Sequence, residues 1–534
     1  MTTEELRTAI VRGDTSLGME LGSTRMKAVL IGPDHSPAAS GSFAWTSRCE
    51  NGVWTYSSEE IWAGVRACFR ALADDVLRRY QVPLTTAGSM GFSAMMHGGM
   101  LFGRDGSLLL PFRTWRNMIT PRAADEMTEL FSFTIPQRWS IAHLYQAVLD
   151  REPFLTEADY FTTLAGYVHW KLTGRRVTGV GDASGMFPVD SATCNYRGDL
   201  LGALDEKLAP LGYRWALRDL LPAPLAAGED AGVLTEEGAR LLDPTGVFRP
   251  GVPICPPEGD ADAGLVATNS VAPGTGNVSA GTSVFAVLVL DRPLKGRYPN
   301  VTLLASPTGG DVAVMQGNNC TTELNAWTGL FLDTARLLGA EPTAEELLTA
   351  LSREALAGEP DCGGLVLYNY LAGEPMTGLD DGRPVLLRGP EGRLTLANLM
   401  RAHLYSALAV MRLGMDNLRS EGVTVARMLG HGGLFKTPGV GQRFLAAALR
   451  VPVCVMETAG EGGAWGMALL AAYARGHAPG EPLADYLETR VFSALCPTPF
   501  VPLQEDVEGF TRYMERYLRC LPVERAAVER LPHG

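Results

Sequence analysis

Two acids set among small residues are the first candidates for chemistry. Asp260 and Asp262 lie in the segment 258–264, Glu-Gly-Asp-Ala-Asp-Ala-Gly, which follows a proline-rich strand end. A second glycine-rich segment, 274–283, runs into the apolar strand 284–290. Small residues let backbone N–H groups approach phosphate oxygens, and a carboxylate can accept the proton of an attacking hydroxyl. The pattern indicates phosphoryl transfer, although a surface loop followed by a β-hairpin would use the same residue types.

A similar turn stands near the N-terminus. Residues 17–31 predict a strand, a tight turn at Gly22, Ser23 and Thr24, and a second strand of alternating apolar residues. The segment 280–288 repeats this order of small residues followed by an apolar strand. The repetition suggests two similar halves, each beginning with a hairpin.

Three further segments could contact ligands. The predicted strand 87–93 places His97 just beyond its carboxyl end, where open α/β sheets bind ligands, although a satisfied core or surface histidine is the alternative. Residues 111–117, Pro-Phe-Arg-Thr-Trp-Arg-Asn, carry groups suited to a polyol, or simply a packed tryptophan at a strand end. The glycine cluster at 430–436 lies between a strand and a helix, and a helix N-terminus favours an anion.

The elements around these segments alternate between strands and helices, which predicts an α/β fold. Ser57 and Glu60 form a capping box for a helix that runs to Tyr80, and threonines cap two later helices. Other predicted elements are a helix over 160–172, a turn at 181–185, a helix over 396–419, a strand over 451–456 and a small-residue helix from Glu461.

Length and composition exclude several classes of protein. A chain of 534 residues needs at least two domains, and a net charge of −13 argues against nonspecific nucleic-acid binding. Its nine cysteines are odd in number and lack a CxxC pair, which fits free thiols in a reducing cytoplasm. No signal-peptide pattern or membrane-length apolar run is present, and the P-loop, HExxH and GxSxG motifs are absent. A soluble cytoplasmic protein is therefore expected.

Taken together, these segments resemble the FGGY family of carbohydrate kinases over roughly residues 17 to 515. The motif Ser-Ala-Met-Met-His-Gly is similar to the sugar-side segment of the xylulose kinases in that family. Several motifs follow one another in the family's order. The segments that carry the resemblance are Leu21–Leu30, Ser93–Gly98, Trp115–Asn117, Leu172–Gly174 with Asp182–Gly185, Gly259–Gly264, Ser279–Ser283 and Gly430–Lys436.

The resemblance implies two actin-like (ribonuclease H-like) lobes with an interlobe cleft. The N-terminal lobe, 17–269, would carry the sugar side, the first phosphate hairpin and the catalytic Asp, and the C-terminal lobe, 270–515, the second phosphate loop and the adenosine side. Residues 1–16 would be a lead-in and 516–534 a tail. ATP, Mg²⁺ and a sugar or polyol are the implied ligands, no membrane or nucleic-acid partner is expected, and a homodimer is compatible with the family.

The resemblance also assigns roles to individual residues. Asp260 takes the position of the general base that accepts the proton of the sugar hydroxyl. The resemblance implies that the ATP phosphates contact Gly22, Ser23, Thr24, Lys27, Gly281, Thr282 and Ser283, and that adenosine contacts Gly432, Gly433 and Lys436. It implies that the acceptor contacts Met96, His97, Trp115, Asn117 and Asp260. The metal would be bound by Glu20 and Asp260.

This chain departs from the family pattern at several of these positions. Glu20 stands where the family usually has Asp, Asn117 where it has the second Asp of Trp-Asn-Asp, and Met95 where it has Gln. Asn donates hydrogen bonds as well as accepting them, so the acceptor can differ from xylulose. Asp262 is an extra acid beside the base, and we interpret it as lying behind the site or as incidental. The hypothesis is an ATP-dependent sugar or polyol kinase; the alternative is an ATPase, or an ATP-binding sensor or scaffold, of the same fold.

Overall fold

The computed structural model describes residues 1–298, 300–455, 462–493 and 498–532. The predicted strand end at Met456 and helix start at Glu461 lie outside these residues. The chain forms two compact units, and the predicted α/β class is confirmed. The first unit comprises Met1–Ala272, Leu303–Val312 and Thr458–Cys496, and the second comprises Pro273–Thr302, Ala313–Glu457 and Pro497–Gly534.

The strands and helices are numbered in chain order. The strands are β1 (Ser16–Leu21), β2 (Arg25–Ile31), β3 (Pro37–Ala44), β4 (Arg48–Glu50), β5 (Val53–Thr55), β6 (Ser89–Ala94), β7 (Gly99–Gly103), β8 (Leu108–Arg113), β9 (Ala158–Thr162), β10 (Val177–Gly179), β11 (Val189–Asp190), β12 (Asn195–Tyr196), β13 (Ala223–Leu225), β14 (Glu258–Gly259), β15 (Thr275–Ala280), β16 (Val284–Val289), β17 (Val301–Ala305), β18 (Asp311–Gly317), β19 (Val366–Tyr368), β20 (Val385–Leu387), β21 (Arg427–His431) and β22 (Val453–Val455). The α-helices are α1 (Thr3–Arg12), α2 (Ser58–Tyr80), α3 (Pro121–Phe131), α4 (Ser140–Leu149), α5 (Leu164–Thr173), α6 (Val180–Ser184), α7 (Gly198–Leu208), α8 (Leu217–Leu220), α9 (Glu236–Leu242), α10 (Asp260–Ala267), α11 (Thr322–Leu337), α12 (Ala344–Glu354), α13 (Leu396–Ser420), α14 (Val440–Leu449), α15 (Gly462–Gly476), α16 (Leu483–Tyr486) and α17 (Gln504–Arg530).

The first unit contains a five-stranded sheet in the order β14-β6-β1-β2-β3. Strands β14, β6 and β1 run parallel, and β1 pairs with β2 as an antiparallel hairpin. Their register aligns Glu20 on β1 with Ser93 on β6, and Ser93 with Glu258 on β14. Because parallel strands end at the same sheet edge, the residues that follow these strands lie close together.

The second unit contains a six-stranded sheet in the order β17-β18-β16-β15-β21-β22. Strands β15 and β16 form an antiparallel hairpin, and β21 runs parallel to β15. Helix α13 is buried at every position from Asn398 to Arg412, so it is enclosed on all faces as a core helix is. This hairpin with a parallel neighbour repeats the arrangement of β1, β2 and β6 in the first unit.

Local capping signals predicted helix starts well. Ser57 and Glu60 form the predicted capping box of α2, and Thr343 and Thr395 cap α12 and α13. The predicted helix over 396–419 corresponds to α13, which extends one residue further to Ser420.

Two predicted elements differ from the structure. Residues 158–162 form strand β9, and the helix predicted over 160–172 begins only at Leu164, because the Thr163 side chain accepts the Gly166 N–H and fixes the start there. The supposed turn at 181–185 is mostly helix α6. Residues 1–16 contain α1, which Thr2 and Glu5 cap, and the residues from 516 continue α17 as far as Arg530.

A buried ion-pair group holds α17 to the second unit. Asp506, which is fully buried, pairs with Arg401, which is 1% exposed, and with Arg443. Removing one member of a buried pair leaves the other charged and desolvated. We expect Asp506→Ala to lower the free energy of unfolding by about 3–5 kcal/mol.

Chemical denaturation of the purified variant measures this loss. The matched control is Glu4→Ala, which breaks the exposed Arg7–Glu4 pair and should cost less than about 1 kcal/mol. Equal losses in the two variants would show that burial does not increase the contribution of the Asp506 ion pairs to the free energy of unfolding.

Candidate functional site

Asp260 stands at the first position of α10, directly after β14. Its Oδ1 accepts hydrogen bonds from the backbone N–H of Met96 at 3.3 Å and of Ala261 at 2.9 Å. Burial raises the pKa of the Asp260 carboxyl, while these N–H groups act in the opposite direction. The structure thus brings Asp260 together with the segment that carries Met96 and fixes one carboxylate oxygen.

Glu20 lies at the end of β1, close to Asp260. Burial and then the charge of Asp260 raise the pKa of Glu20 to about 7. Lys27, which is opposite Glu20 in the β1–β2 register, and the backbone N–H groups of Gly463 and Ala464 act to lower this pKa. Two acids that repel each other in a buried setting are a donor set that a cation would stabilise.

The turn between β1 and β2 is held by aromatic side chains. Trp45 Nε1 donates to the Gly22 carbonyl at 2.7 Å, and the Tyr56 hydroxyl donates to the Ser23 carbonyl at 2.5 Å. Trp115 Nε1 donates to Ser23 Oγ at 2.9 Å. The predicted acceptor residue Trp115 and the predicted phosphate turn therefore meet directly. Sequence reasoning missed Trp45 and Tyr56, because no local pattern joins them to the turn.

His97 adopts an unusual backbone conformation beside Met96. Its φ of +69° lies in the left-handed region, and Gly185 packs so close to its ring that an added Cβ would lie 2.8 Å from Nδ1. The ring stacks on Trp139 with 6.2 Å between centroids. Burial, with Arg138 and His143 nearby, lowers the pKa of His97 to about 3. His97 is therefore neutral at physiological pH, and because Nδ1 donates to the Gly185 carbonyl at 3.3 Å, Nε2 is left as a hydrogen-bond acceptor.

The side chain of Asn117, a predicted acceptor contact, is buried and bonded to backbone groups. It is 1% exposed, and its side-chain amide bonds the backbone of Trp54 in both directions, at 2.7 and 2.8 Å. Its Nδ2 also donates to the Thr114 carbonyl at 3.0 Å. The amide thus anchors the loop that carries Trp115 to the β4–β5 hairpin.

In the second unit, the structure brings both predicted nucleotide segments together. The turn Gly281–Ser283 is held by Thr321, whose Oγ1 donates to the Gly281 carbonyl at 2.7 Å. Gly432 has a φ of +99°, and an added Cβ would lie 2.5 Å from the Ala280 carbonyl oxygen. Gly432 is thus needed both for its backbone conformation and for this close approach.

The other residues of the predicted adenosine segment lie just beyond this contact. A short 3₁₀ turn at Gly433–Phe435 follows, and the Lys436 N–H donates to the Gly433 carbonyl at 3.3 Å. Thr282 and Ser283 complete the β15–β16 turn, where the Cys320 N–H donates to the Thr282 carbonyl.

Three buried acids lie behind Asp260. The Asp182 carboxylate accepts from the hydroxyls of Thr163 and Thr178, and the Asp182 N–H donates to Glu258 at 2.9 Å. Burial raises the pKa values of Glu258 and Asp262 well above their usual range. Asp262 is only 3% exposed, so the alternative interpretation of this stretch as a surface loop is wrong.

Glycines make room for two of these acids. An added Cβ on Gly179 would lie 2.2 Å from Cδ of Glu258, and one on Gly181 would lie 2.4 Å from Cγ of Asp262. The sequence analysis interpreted residues 181–185 as a turn and assigned no site role to Asp182, nor to Glu258 at the start of the segment 258–264. The one local signal was the pair Gly179 and Gly181, which are two residues apart and directly followed by Asp182.

Acidification should test the burial of His97. An unfolded histidine has a pKa of about 6.5, so the unfolded chain takes up a proton between pH 7 and 5 that the native His97 does not. Stability from this group is therefore full above pH 6.5 and is lost as the pH falls toward 3. We expect the wild type to lose about 2 kcal/mol more than His97→Asn between pH 7 and pH 5.

Denaturant titrations at the two pH values measure this difference, and Asn tolerates the left-handed backbone. The other buried histidines contribute equally in both proteins and cancel. The same pH-dependent loss in both proteins would show that His97 titrates normally in the native state.

Two family models match the chain. Residues 15–267 match the N-terminal domain of the FGGY family of carbohydrate kinases, and residues 276–475 match its C-terminal domain. The matched ranges contain the acids near Asp260, both small-residue turns and the Gly432 segment.

The chain is also similar in sequence to curated proteins and in fold to solved structures. The xylulose kinase of Haemophilus influenzae is 25% identical over 364 residues, 66% of each chain, and that of Klebsiella pneumoniae is 24% identical over 50% of this chain and 53% of its own. These alignments thus span less than two thirds of each relative. A xylulose kinase from Lactobacillus acidophilus superposes with a TM-score of 0.77 at 16% identity, covering 97% of this chain and all of its own. A gluconate kinase from the same species gives 0.76 at 17% identity, covering 96% and 97%.

Within the described residues, no helix has the length and apolarity that a bilayer span requires. Nor does this part of the chain gather three or more His, Cys, Asp or Glu side chains in a metal-binding arrangement. A hard cation that keeps most of its waters, such as Mg²⁺, needs only one or two carboxylates, so Glu20 and Asp260 suffice as a donor set.

Proposed function

The chain belongs to the FGGY family of carbohydrate kinases, and on that premise we propose that it transfers the γ-phosphoryl group of ATP to a hydroxyl of a sugar or polyol. The family places it among the phosphotransferases that use an alcohol group as acceptor. The observation that carries the proposal is the setting of Asp260, whose Oδ1 is fixed by Met96 N–H beside His97. A sugar hydroxyl is a poor nucleophile, so a fixed carboxylate next to it is what the reaction needs.

Asp260 acts as the general base in this proposal. It accepts the proton of the acceptor hydroxyl as that oxygen attacks the γ-phosphorus. Burial raises the pKa of Asp260, which brings its basicity closer to the operating pH and makes proton transfer more effective. Met96, His97 and Trp115 would bind the acceptor, while Asn117 would act by holding the loop of Trp115.

The two small-residue turns bind the phosphates. Charge in the transition state spreads over the equatorial phosphoryl oxygens, and backbone N–H groups of Gly22–Thr24 and Gly281–Ser283 would stabilise it. Lys27 adds a positive charge near the first turn. Gly432, Gly433 and Lys436 would contact adenosine, where the absence of side chains at the glycines permits close approach.

Glu20 and Asp260 would hold Mg²⁺. The raised pKa of Glu20 fits this assignment, since a cation between the two acids would relieve their repulsion. When bound, the ion neutralises phosphate charge and helps to orient the phosphates. Glu20 is one methylene longer than the Asp usual in the family, and we propose that it keeps the same role.

The curated relatives are named xylulose kinases, so a ketose is the first acceptor to test. We further propose a cytoplasmic location, which the eight free cysteines of the described residues support. Assembly into a homodimer stays a prediction.

Replacing the proposed base tests the mechanism. We expect Asp260→Asn to lower acceptor-dependent ADP release by about 10²–10⁴-fold, because Asn cannot take the proton. Coupled ADP release with Mg²⁺ and a panel of ketoses, aldoses and polyols measures this rate. The control is Asp74→Asn, at an exposed position on α2.

Three outcomes would count against parts of the proposal. Near-normal turnover in Asp260→Asn would remove Asp260 as the base. ADP release by the wild type that no acceptor stimulates would favour the ATPase alternative. ATP binding without any turnover would favour the sensor or scaffold.

The nucleotide side has its own test. Gly432→Ala adds a Cβ against the Ala280 carbonyl, and we expect it to weaken ATP binding by at least about 10-fold without changing acceptor binding. Gly339→Ala is the matched control, because Gly339 also has a positive φ but no atom lies within 4 Å of an added Cβ. Isothermal titration of ATP into both variants gives the affinities, and equal affinities would contradict the adenosine assignment.

A further inference from the structure

The Ser23 hydroxyl connects the first phosphate turn to two segments on the acceptor side. Trp115 Nε1 donates to Ser23 Oγ at 2.9 Å, and Ser23 Oγ donates to Met95 Sδ at 3.9 Å. Trp115 is one of the proposed acceptor residues, and Met95 directly precedes Met96, whose N–H holds Asp260. One hydroxyl of the proposed ATP site is therefore bonded to the segments that would bind the acceptor substrate.

Both ends of the bond between Trp115 and Ser23 are held in place by other contacts. Two residues after Trp115, the Asn117 amide bonds the Trp54 backbone in both directions, at 2.7 and 2.8 Å. The Tyr56 hydroxyl donates to the Ser23 carbonyl at 2.5 Å. Groups that are supported in this way lose little conformational freedom when a ligand binds, which favours binding.

Trp115 can reach the acceptor substrate only with its ring. An indole carries one hydrogen-bond donor and no acceptor, and Ser23 already takes that donor. Trp115 is nevertheless 38% exposed, so part of its ring is open to contact. Packing of the ring against the carbon skeleton of the acceptor substrate would leave the N–H bond to Ser23 intact.

The hydroxyl hydrogen of Ser23 is the group that can change partner. The thioether of Met95 is a weak hydrogen-bond acceptor, whereas a phosphate oxygen is charged and strong. Ser23 is only partly buried, so a ligand can reach its hydroxyl. A hydroxyl that already accepts a hydrogen bond donates more strongly, because successive bonds in a chain polarise one another. The Trp115 N–H thus makes Ser23 a better donor toward a phosphate.

We propose that Trp115 is a positioning residue for ATP that acts through the Ser23 hydroxyl, and that this bond couples the binding of ATP to that of the acceptor substrate. The inference rests on the proposed function, because both ligand assignments come from there. An acceptor substrate packed on the Trp115 ring holds the indole in place, and the indole N–H then holds Ser23 with its hydroxyl turned to the phosphate. Each ligand therefore binds more tightly when the other is present, by the same factor.

An ATP analogue with a non-hydrolysable β,γ bridge tests the positioning role. Calorimetry with Mg²⁺ and no acceptor substrate measures its affinity, and we expect Trp115→Phe to weaken binding by about 2–10-fold, the effect of one hydrogen bond. Ser23→Ala should weaken binding at least as much, and adding Trp115→Phe to it should change nothing further. The matched control is Trp215→Phe, which removes an indole N–H bonded to the Leu155 carbonyl at 2.7 Å and should bind the analogue as the wild type does.

The coupling is measured with D-xylulose at a saturating concentration as the probe. In the wild type and in Trp215→Phe, D-xylulose should tighten binding of the analogue by at least about 5-fold. Trp115→Phe and Ser23→Ala should both abolish this effect. A packing role of Trp115 alone would leave the effect unchanged in Ser23→Ala, because that variant keeps the whole indole ring.

The outcomes separate this inference from the kinase function. Unchanged affinity in Trp115→Phe, or losses that add in the double variant, overturns the inference and leaves the kinase proposal standing. Losses of affinity that do not add, in a protein without acceptor-dependent ADP release, support the positioning role and count against the kinase. Failure of D-xylulose and of every other member of the acceptor panel to bind overturns the coupling.

Discussion

Direct packing of backbone against backbone is the constraint on which the first unit depends. A Cβ on Gly18 of β1 would lie 2.0 Å from the Ala464 carbonyl oxygen of α15, and one on Gly466 of α15 would lie 2.0 Å from the Ala263 carbonyl oxygen of α10. No side chain larger than hydrogen fits at either contact. Strand β1, which carries Glu20, and helix α10, which begins with Asp260, are therefore both packed closely against α15, and this brings the two repelling acids together.

The surrounding backbone offsets part of the repulsion between Glu20 and Asp260. N–H groups of α15 point toward Glu20, and those of Met96 and Ala261 hold Asp260. In the second unit, Gly432 packs against the Ala280 backbone in a comparable way, since an added Cβ would lie 2.5 Å from the Ala280 carbonyl oxygen. The segment around His97 differs, because it presents the stacked rings of His97 and Trp139 in place of small residues.

The sequence predicted what short-range chemistry decides. Capping boxes gave helix starts, alternating elements gave the fold class, and ordered motifs gave the family. The predicted start of the helix over 160–172 was wrong, because one apolar run is divided between a strand and a helix by the cap at Thr163. It also failed where partners are distant in sequence: Asn117 bonds Trp54, and Trp45 reaches Gly22, through contacts that only the folded chain creates. The return of 303–312 and 458–496 to the first unit is likewise invisible in any local pattern.

The glycines opposite the buried acids also restrict how this chain can change over evolutionary time. The Asp262 side chain fills the space that a side chain at Gly181 would need, and the Glu258 side chain does the same at Gly179. A side chain can enter at 181 only after the acid at 262 has become smaller, whereas Asp262 can be shortened while Gly181 is unchanged. Substitutions at each pair therefore have a fixed order, and the acid must become smaller first, at Asp262 on α10 or at Glu258 on β14. Relatives with a larger residue at the position of Gly181 should thus lack a bulky acid at the position of Asp262.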